Sequence, residues 1–244
     1  MTNSKIKVWA HRGYSYLYPE NTILSFKKAI DTGADGIECD IQKTKDGHFV
    51  VIHDPFIETD SGLLYISETT LQELKKIDLG SGEKLITLTE LIKFFPEKIT
   101  LDIEIKCDTI TKNDCPDIYN IIKSTNKNID YYICSFKISL LIFFIKKGMT
   151  VGFLTGPESL QDSILYIIRN IKKIKFNYLS IPIQAFFSIL SPITRFVVKT
   201  FKLFGFKFNF WTVNNPEFLK NIKGLGNIVI TDKVGDFVQI RDGG

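Results

Sequence analysis

Residues 99–154 read ITLDIEIKCDTITKNDCPDIYNIIKSTNKNIDYYICSFKISLLIFFIKKGMTVGFL. Three short β-rich runs stand in this stretch, at 99–105, 131–136 and 149–154. Between them lie helical patterns at 115–126 and 137–147. Strands that alternate with helices predict right-handed crossovers and a parallel sheet. The same alternation continues downstream, with strand runs at 177–183, 206–213 and 227–232 and helical patterns at 157–174, 191–204, 215–222 and from about 235. Upstream, KVWA (7–10) and GIECDI (36–41) flank a helical pattern at 21–33 that closes on Gly33. A Lys-Asp-Gly turn inside 45–52 signals a hairpin, and Thr87-x-x-Glu90 signals a capping box opening a helix over 87–95. Counting one strand per unit gives eight: 7–10, 36–41, 99–105, 131–135, 150–154, 177–182, 207–213 and 227–230. Eight β/α units in about 250 residues predict an α/β fold of the closed (β/α)8 TIM-barrel type, with residues 1–244 forming one domain. No Gly-x-Gly-x-x-Gly follows any strand, so nothing points to a dinucleotide site on an open sheet.

Composition bounds the function classes. The hydrophobic share of 44% and charged share of 24% are those of a globular chain and exclude general disorder. A net charge of +4, with Lys pairs scattered at 27–28, 75–76, 146–147 and 172–173, gives no nucleic-acid surface. The N-terminus lacks an apolar run of signal-peptide length. The most apolar stretch, 181–204, is interrupted by Pro192, Arg195, Lys199 and Lys202, which predicts no transmembrane segment. Cys39, Cys107, Cys115 and Cys134 form no C-x-x-C pair and read as buried free thiols of a reducing, cytoplasmic compartment.

In a barrel the reactive groups sit at the C-terminal strand ends. Strand one ends in His11-Arg12-Gly13, strand two carries Glu38 and Asp40, and its hairpin continuation ends in His53-Asp54. Strand three carries Asp102, Glu104 and Lys106, strand seven Trp211, and strand eight ends in Thr231-Asp232. Residues two apart share a strand face, so Glu38 with Asp40, and Glu104 with Lys106, face the barrel interior while Cys39, Ile103 and Ile105 face the helices. Three inward carboxylates without thiolate or imidazole neighbours suit one hard divalent cation, Mg2+ or Ca2+. The competing reading is a buried ion-pair network of Glu38, Asp40 and Glu104 with Arg12 and Lys106. Of the three histidines, His48 has the wrong strand parity and is expected in solvent. His11 and His53 remain as general acid and base, and Arg12 and Lys106 suit a phosphate group. Together these groups describe phosphoester cleavage.

Residues 11–54 resemble the glycerophosphodiester phosphodiesterase family: His-Arg-Gly, Pro-Glu-Asn-Thr, Gly-Ala-Asp-x-x-Glu-x-Asp, Thr-x-Asp-Gly and His-Asp occur in order. IEIK (103–106), CSF (134–136) and WTVN (211–214) resemble its later markers. The resemblance implies a TIM barrel that hydrolyses small glycerophosphodiesters to sn-glycerol 3-phosphate and an alcohol. It implies His11 and His53 as the acid/base pair and Glu38, Asp40 and Glu104 as metal ligands. It places Arg12 and Lys106 on the phosphate and Trp211 in the pocket wall. Two departures stand out. Residues 54–86 leave room for only a short insertion after the second strand, and Glu58-Thr59-Asp60-Ser61-Gly62 replaces the family's Arg-Thr-Thr. Within Pro19-Glu20-Asn21-Thr22, Asn21 is the expected N-cap of the first helix.

Two other functions compete. A lysophospholipase D or related lyase would use the same site on a lipid. Phe186, Phe187, Ile189 and Leu190 would then hold an acyl chain or touch a membrane, unless they form one side of a helix packed on the barrel. A non-catalytic phosphoester-binding protein is the third reading. Peripheral membrane contact and a homodimer are both left open by the sequence.

Overall fold

The computed structural model describes residues 5–96, 98–124, 129–156, 178–187, 191–226 and 228–243. Eight parallel strands close into a barrel: β1 (Lys7–His11), β2 (Gly36–Lys43), β6 (Thr100–Ile105), β7 (Tyr131–Ser135), β8 (Thr150–Leu154), β9 (Tyr178–Pro182), β10 (Lys207–Trp211) and β11 (Ile228–Thr231). Closure comes from β1, which pairs with β11 on one side and β2 on the other. The expected strand positions agree with these spans to within about two residues at each end. The helices α1 (Ile23–Thr32), α3 (Leu88–Phe94), α4 (Cys115–Ser124), α5 (Ile138–Lys146), α6 (Ser191–Leu203), α7 (Leu219–Ile222) and α8 (Val234–Gly243) surround it. The helix expected over 157–174 lies outside the described residues.

Between β2 and α3 the chain makes only small elements: β3 (Phe49–Val51) antiparallel to β2, a hairpin of β4 (Phe56–Thr59) and β5 (Gly62–Tyr65), a 3-10 turn at Ile66–Glu68 and the one-turn helix α2 (Leu71–Leu74). The family-variant segment 58–62 forms the end of this hairpin. The Thr87/Glu90 capping box is present at the start of α3.

Strand parity sorts the core into two parts. Outward residues such as Val8, Ala10, Ile37, Cys39, Ile103 and Ile105 join the apolar layer under the helices. Inward residues at the N-terminal end of the barrel form an aromatic plug of Trp9, Tyr132 and Tyr178 with Ile228 and Ile230. Trp9 meets Tyr132 edge-on at 4.9 Å, and the Tyr132 hydroxyl donates to that of Tyr178. Gly36 is required here, because a Cβ at that position would lie 2.5 Å from the Trp9 ring. Above this plug the inward side chains turn polar, and that change of character places the site.

Two expectations need correction. Asn21 is not the cap of α1: Thr22 is, in a reciprocal capping box with Ser25, which frees the Asn21 side chain for another role. Cys107 is exposed, since it lies just beyond the last residue of β6 and is carried out of the barrel wall; Cys39, Cys115 and Cys134 are buried as expected. Of the apolar residues expected either on one side of a helix or in contact with lipid, Phe186 and Phe187 are described. Phe186 ends a 3-10 turn and is buried against Phe210, whereas Phe187 is half-exposed and stacks on Phe218 at 4.2 Å. Ile189 and Leu190 lie outside the described residues.

Candidate active site

A cavity of about 250 Å3 opens at the C-terminal end of the barrel, and His11, Arg12, Glu38, His53, Glu104, Lys106 and Trp211 all line it. Asp40 is buried behind this lining, in contact with Arg12 and Lys106. The barrel register sets this arrangement, pairing Glu38 with Asp102 and Asp40 with Glu104 on neighbouring strands. Glu38, Asp40 and Glu104 each offer an oxygen within 4.8 Å of the others.

The cations are threaded through these carboxylates. Lys106 Nζ lies 2.8 Å from Asp40 Oδ1 and 2.6 Å from Glu104 Oε1. Arg12 Nε lies 3.2 Å from Asp40 Oδ2, and Arg12 Nη1 donates to Glu20 at 3.0 Å. The ion-pair network weighed in the sequence is therefore present in part: Asp40 and Glu104 pair with these cations, whereas the Glu38 carboxylate meets Arg12 only through the backbone amide, and the carboxylate cluster is present with it. Asp40 shows the balance: burial pushes its carboxyl up, but Lys106 and Arg12 outweigh burial and hold it at about 2. Glu104 is pushed up to about 7 by burial and by the charge of Asp40, which Lys106 only partly offsets. Burial, then Asp40 and Glu104, drive Glu38 well above the usual carboxylate range. Asp102 rises to about 7, mainly through burial. Four buried carboxyl groups face two cations, so with all four ionised the site would hold more negative charge than its own side chains neutralise, and the raised pKa values of Glu38, Asp102 and Glu104 express that excess. An all-oxygen donor set of this kind fits a hard divalent cation.

The backbone turn that starts the site is constrained. Arg12 has φ +57°, a left-handed conformation costly for a residue with a side chain. Its amide is held by the carbonyl and the carboxylate of Glu38 at 2.9 and 3.1 Å. The next residue must be glycine, because a Cβ on Gly13 would lie 2.4 Å from Ser25 Oγ. The His-Arg-Gly turn is thus pressed against the first turn of α1 and aims His11 into the cavity.

Both cavity histidines are anchored through Nδ1. His11 Nδ1 lies 2.7 Å from Asp232 Oδ1, and its Nε2 faces Glu38 Oε2 at 4.0 Å. Asp232 also accepts from Ser15 and Asn214. Burial raises the Asp232 carboxyl, but the bond from His11 overcomes this and brings it down to about 2. An ionised carboxylate can only accept, so His11 Nδ1 carries the proton and Nε2 is left as the acceptor on the cavity side. His53 Nδ1 lies 2.6 Å from Asp54 Oδ1, and its carbonyl is held by Gln42 Nε2. Burial lowers the pKa of His53, and Lys106 and Arg12 add to this against the opposing charge of Asp40. His48 lies away from the cavity, exposed and 3.8 Å from Asp46, as its parity predicts.

The sequence pattern of the Glycerophosphoryl diester phosphodiesterase family matches residues 11–236. The chain belongs to this family. A glycerophosphodiester phosphodiesterase of Caldanaerobacter subterraneus subsp. tengcongensis is 47% identical over 111 residues, which is 42% of this chain and 46% of that relative. The match thus spans about half of that relative's length. The crystal structure of the Thermotoga maritima glycerophosphodiester phosphodiesterase is 32% identical, covers 96% of this chain and 98% of its own, and superimposes with a TM-score of 0.81. An Oleispira antarctica phosphodiesterase, solved in complex with the product sn-glycerol-3-phosphate, shares the fold at 22% identity, covering 98% of both chains with a TM-score of 0.79.

Three residues of this family member's site were missed by the sequence reading or given no role by it. Asn21 Nδ2 donates to Asp40 Oδ2 at 3.0 Å and its Oδ1 accepts from the Asp40 amide, so it orients a cluster carboxylate from outside the barrel wall. Its φ of +57° lies outside the extended region that an N-cap adopts, which Thr22 occupies instead at φ −116°. Asp232 was visible only as a charge at a strand end, and Asn214 within WTVN only as a marker.

Proposed function

We propose that the chain hydrolyses small glycerophosphodiesters to sn-glycerol 3-phosphate and an alcohol, using His11 and His53 as the acid/base pair. The observation that carries this is the pair of anchored imidazoles facing one cavity with Glu38, Asp40 and Glu104. The product bound to the Oleispira antarctica relative supports the substrate class. The cavity volume, about 250 Å3, suits a small polar ester better than a bulky ligand.

Glu38, Asp40 and Glu104 would hold one divalent cation, Mg2+ or Ca2+, which supplies charge stabilisation to phosphate oxygens when bound. Arg12 and Lys106 border the cavity and add fixed positive charge for the phosphate. Trp211 walls the opposite side, edge-on to Phe136, and keeps that wall apolar.

In the first step one histidine takes the proton from the glycerol hydroxyl next to the ester oxygen. The deprotonated hydroxyl oxygen bonds to phosphorus, the bond from phosphorus to the alcohol oxygen breaks, and the other histidine protonates the departing oxygen. The hydroxyl is already in the same molecule as phosphorus, so it has a large proximity advantage over external water. Water then opens the cyclic glycerol phosphate with the two roles reversed. The test is an analogue with that hydroxyl replaced by hydrogen. The expected result is binding with at least a 100-fold loss of turnover; normal turnover would leave direct attack by water as the route.

A further inference from the structure

We propose that the outer face of α6 docks on an anionic phospholipid surface. The helix carries Ile193, Phe196 and Leu203 at 59, 71 and 88% exposure, with Phe204 following at 70%. Spacings of three and seven residues put the first three on one stripe. Val198 on the other side is buried in the core, so the helix is packed against the barrel by one face and presents a second apolar face outward. Isolated exposed apolar residues are ordinary, but four on one element form a patch that asks for a partner.

Charge selects the partner. Between Tyr178 and Pro216 there is no Asp or Glu, while Arg195, Lys199, Lys202 and Lys207 are all present. Among the described residues none of these four pairs with a carboxylate. Lys199 and Lys202 are both exposed; Lys199, three residues from Phe196 and four from Leu203, borders the apolar stripe, whereas Lys202, four residues from the buried Val198, lies further round the helix and donates its Nζ to the Gly224 carbonyl at 2.6 Å. Exposed aromatic and aliphatic side chains beside lysines that pair with no carboxylate are the composition of a helix that lies in a membrane interface. A second copy of the chain fits less well. A two-fold contact would set the same cations against each other with no carboxylate on the face to answer them. Among the described residues no helix is long and apolar enough to cross a membrane, so the contact would be peripheral.

The experiment is sedimentation of the full chain with vesicles of phosphatidylglycerol and phosphatidylcholine, and with vesicles of phosphatidylcholine alone. The expected result is pelleting with the anionic vesicles only, weakened by raised salt. Each lysine near an anionic surface is worth about a five-fold change in binding, so K199E/K202E should weaken it by more than about 25-fold. F196S/L203S should weaken it at least about ten-fold, with hydrolysis of soluble glycerophosphocholine unchanged in both variants. No pelleting, equal pelleting with both vesicle types, or pelleting indifferent to these substitutions would overturn the proposal. A concentration-dependent dimer in light scattering that F196S/L203S abolishes would also overturn it, by assigning the face to a second copy.

Discussion

Replacing Asp232 by Asn tests whether His11 works through its anchored ring. The Asp232 carboxylate accepts from His11 Nδ1 at 2.7 Å and from Ser15 Oγ at 2.9 Å, and its side chain is 27% exposed. An amide of the same shape keeps one acceptor but can turn its NH2 toward the ring, which reverses the tautomer and puts the proton on Nε2. The lost contribution is that of a general acid or base, about 10² to 10⁴-fold. Taking the lower half of that range, kcat should fall 100- to 1,000-fold, or about 2.7–4 kcal/mol of barrier. The Asp54 carboxylate holds His53 at a similar distance but is 61% exposed, so water can replace it. D54N should therefore lose less than about ten-fold. The assay is steady-state release of sn-glycerol 3-phosphate at saturating metal, with KM measured separately because the substitution touches no substrate-facing atom. D232N within three-fold of wild type, or D54N as damaging as D232N, would refute the anchoring argument. Acid unfolding gives a second readout. The Asp232 pKa is depressed to about 2, so its contribution to stability is present above the unfolded value near 3.9 and is lost as pH falls toward 2. D232N should flatten that part of the curve.

Exhaustive chelation should abolish activity and a divalent cation should restore it; full activity after chelation would remove the metal from the account. E104Q should weaken metal affinity measured by calorimetry, because it takes one charged oxygen donor from the cluster. H11A and H53A should each lose at least about 100-fold in kcat while H48A stays near wild type. An inactive H48A would contradict the parity reading of the hairpin. G36A should lower the melting temperature without altering the site's residues, since its Cβ would press on Trp9 at 2.5 Å; an unchanged Tm would mean the plug can shift freely.

Most of the barrel was legible because each strand is a short β-rich run closed by turn residues, and the period-two face of GIECDI and ITLDIEI already sorts carboxylates from helix-facing apolar residues. Thr87 and Glu90 announced their helix for an equally local reason, a capping box read within four residues. The misses are not local. His11 and Asp232 are 221 positions apart, and only closure of β11 onto β1 makes them neighbours. Asn21 reads as a good helix cap, but Thr22 with Ser25 makes the better reciprocal pair, and the choice depends on where Asp40 waits. Cys107 comes two residues after β6, whose residues from Leu101 to Ile105 are buried, and whether it stays in the wall depends on where the strand stops.

The central claim is that the cavity at the C-terminal end of the barrel hydrolyses glycerophosphodiesters through His11 and His53. The direct measurement is sn-glycerol 3-phosphate formed from glycerophosphocholine by the purified chain with Mg2+ or Ca2+, compared with H11A and H53A prepared identically. The account predicts steady product release by the native chain and a loss of at least about 100-fold in each variant. No product from a panel of glycerophosphodiesters with either metal, or product release undiminished in H11A and H53A, would contradict it.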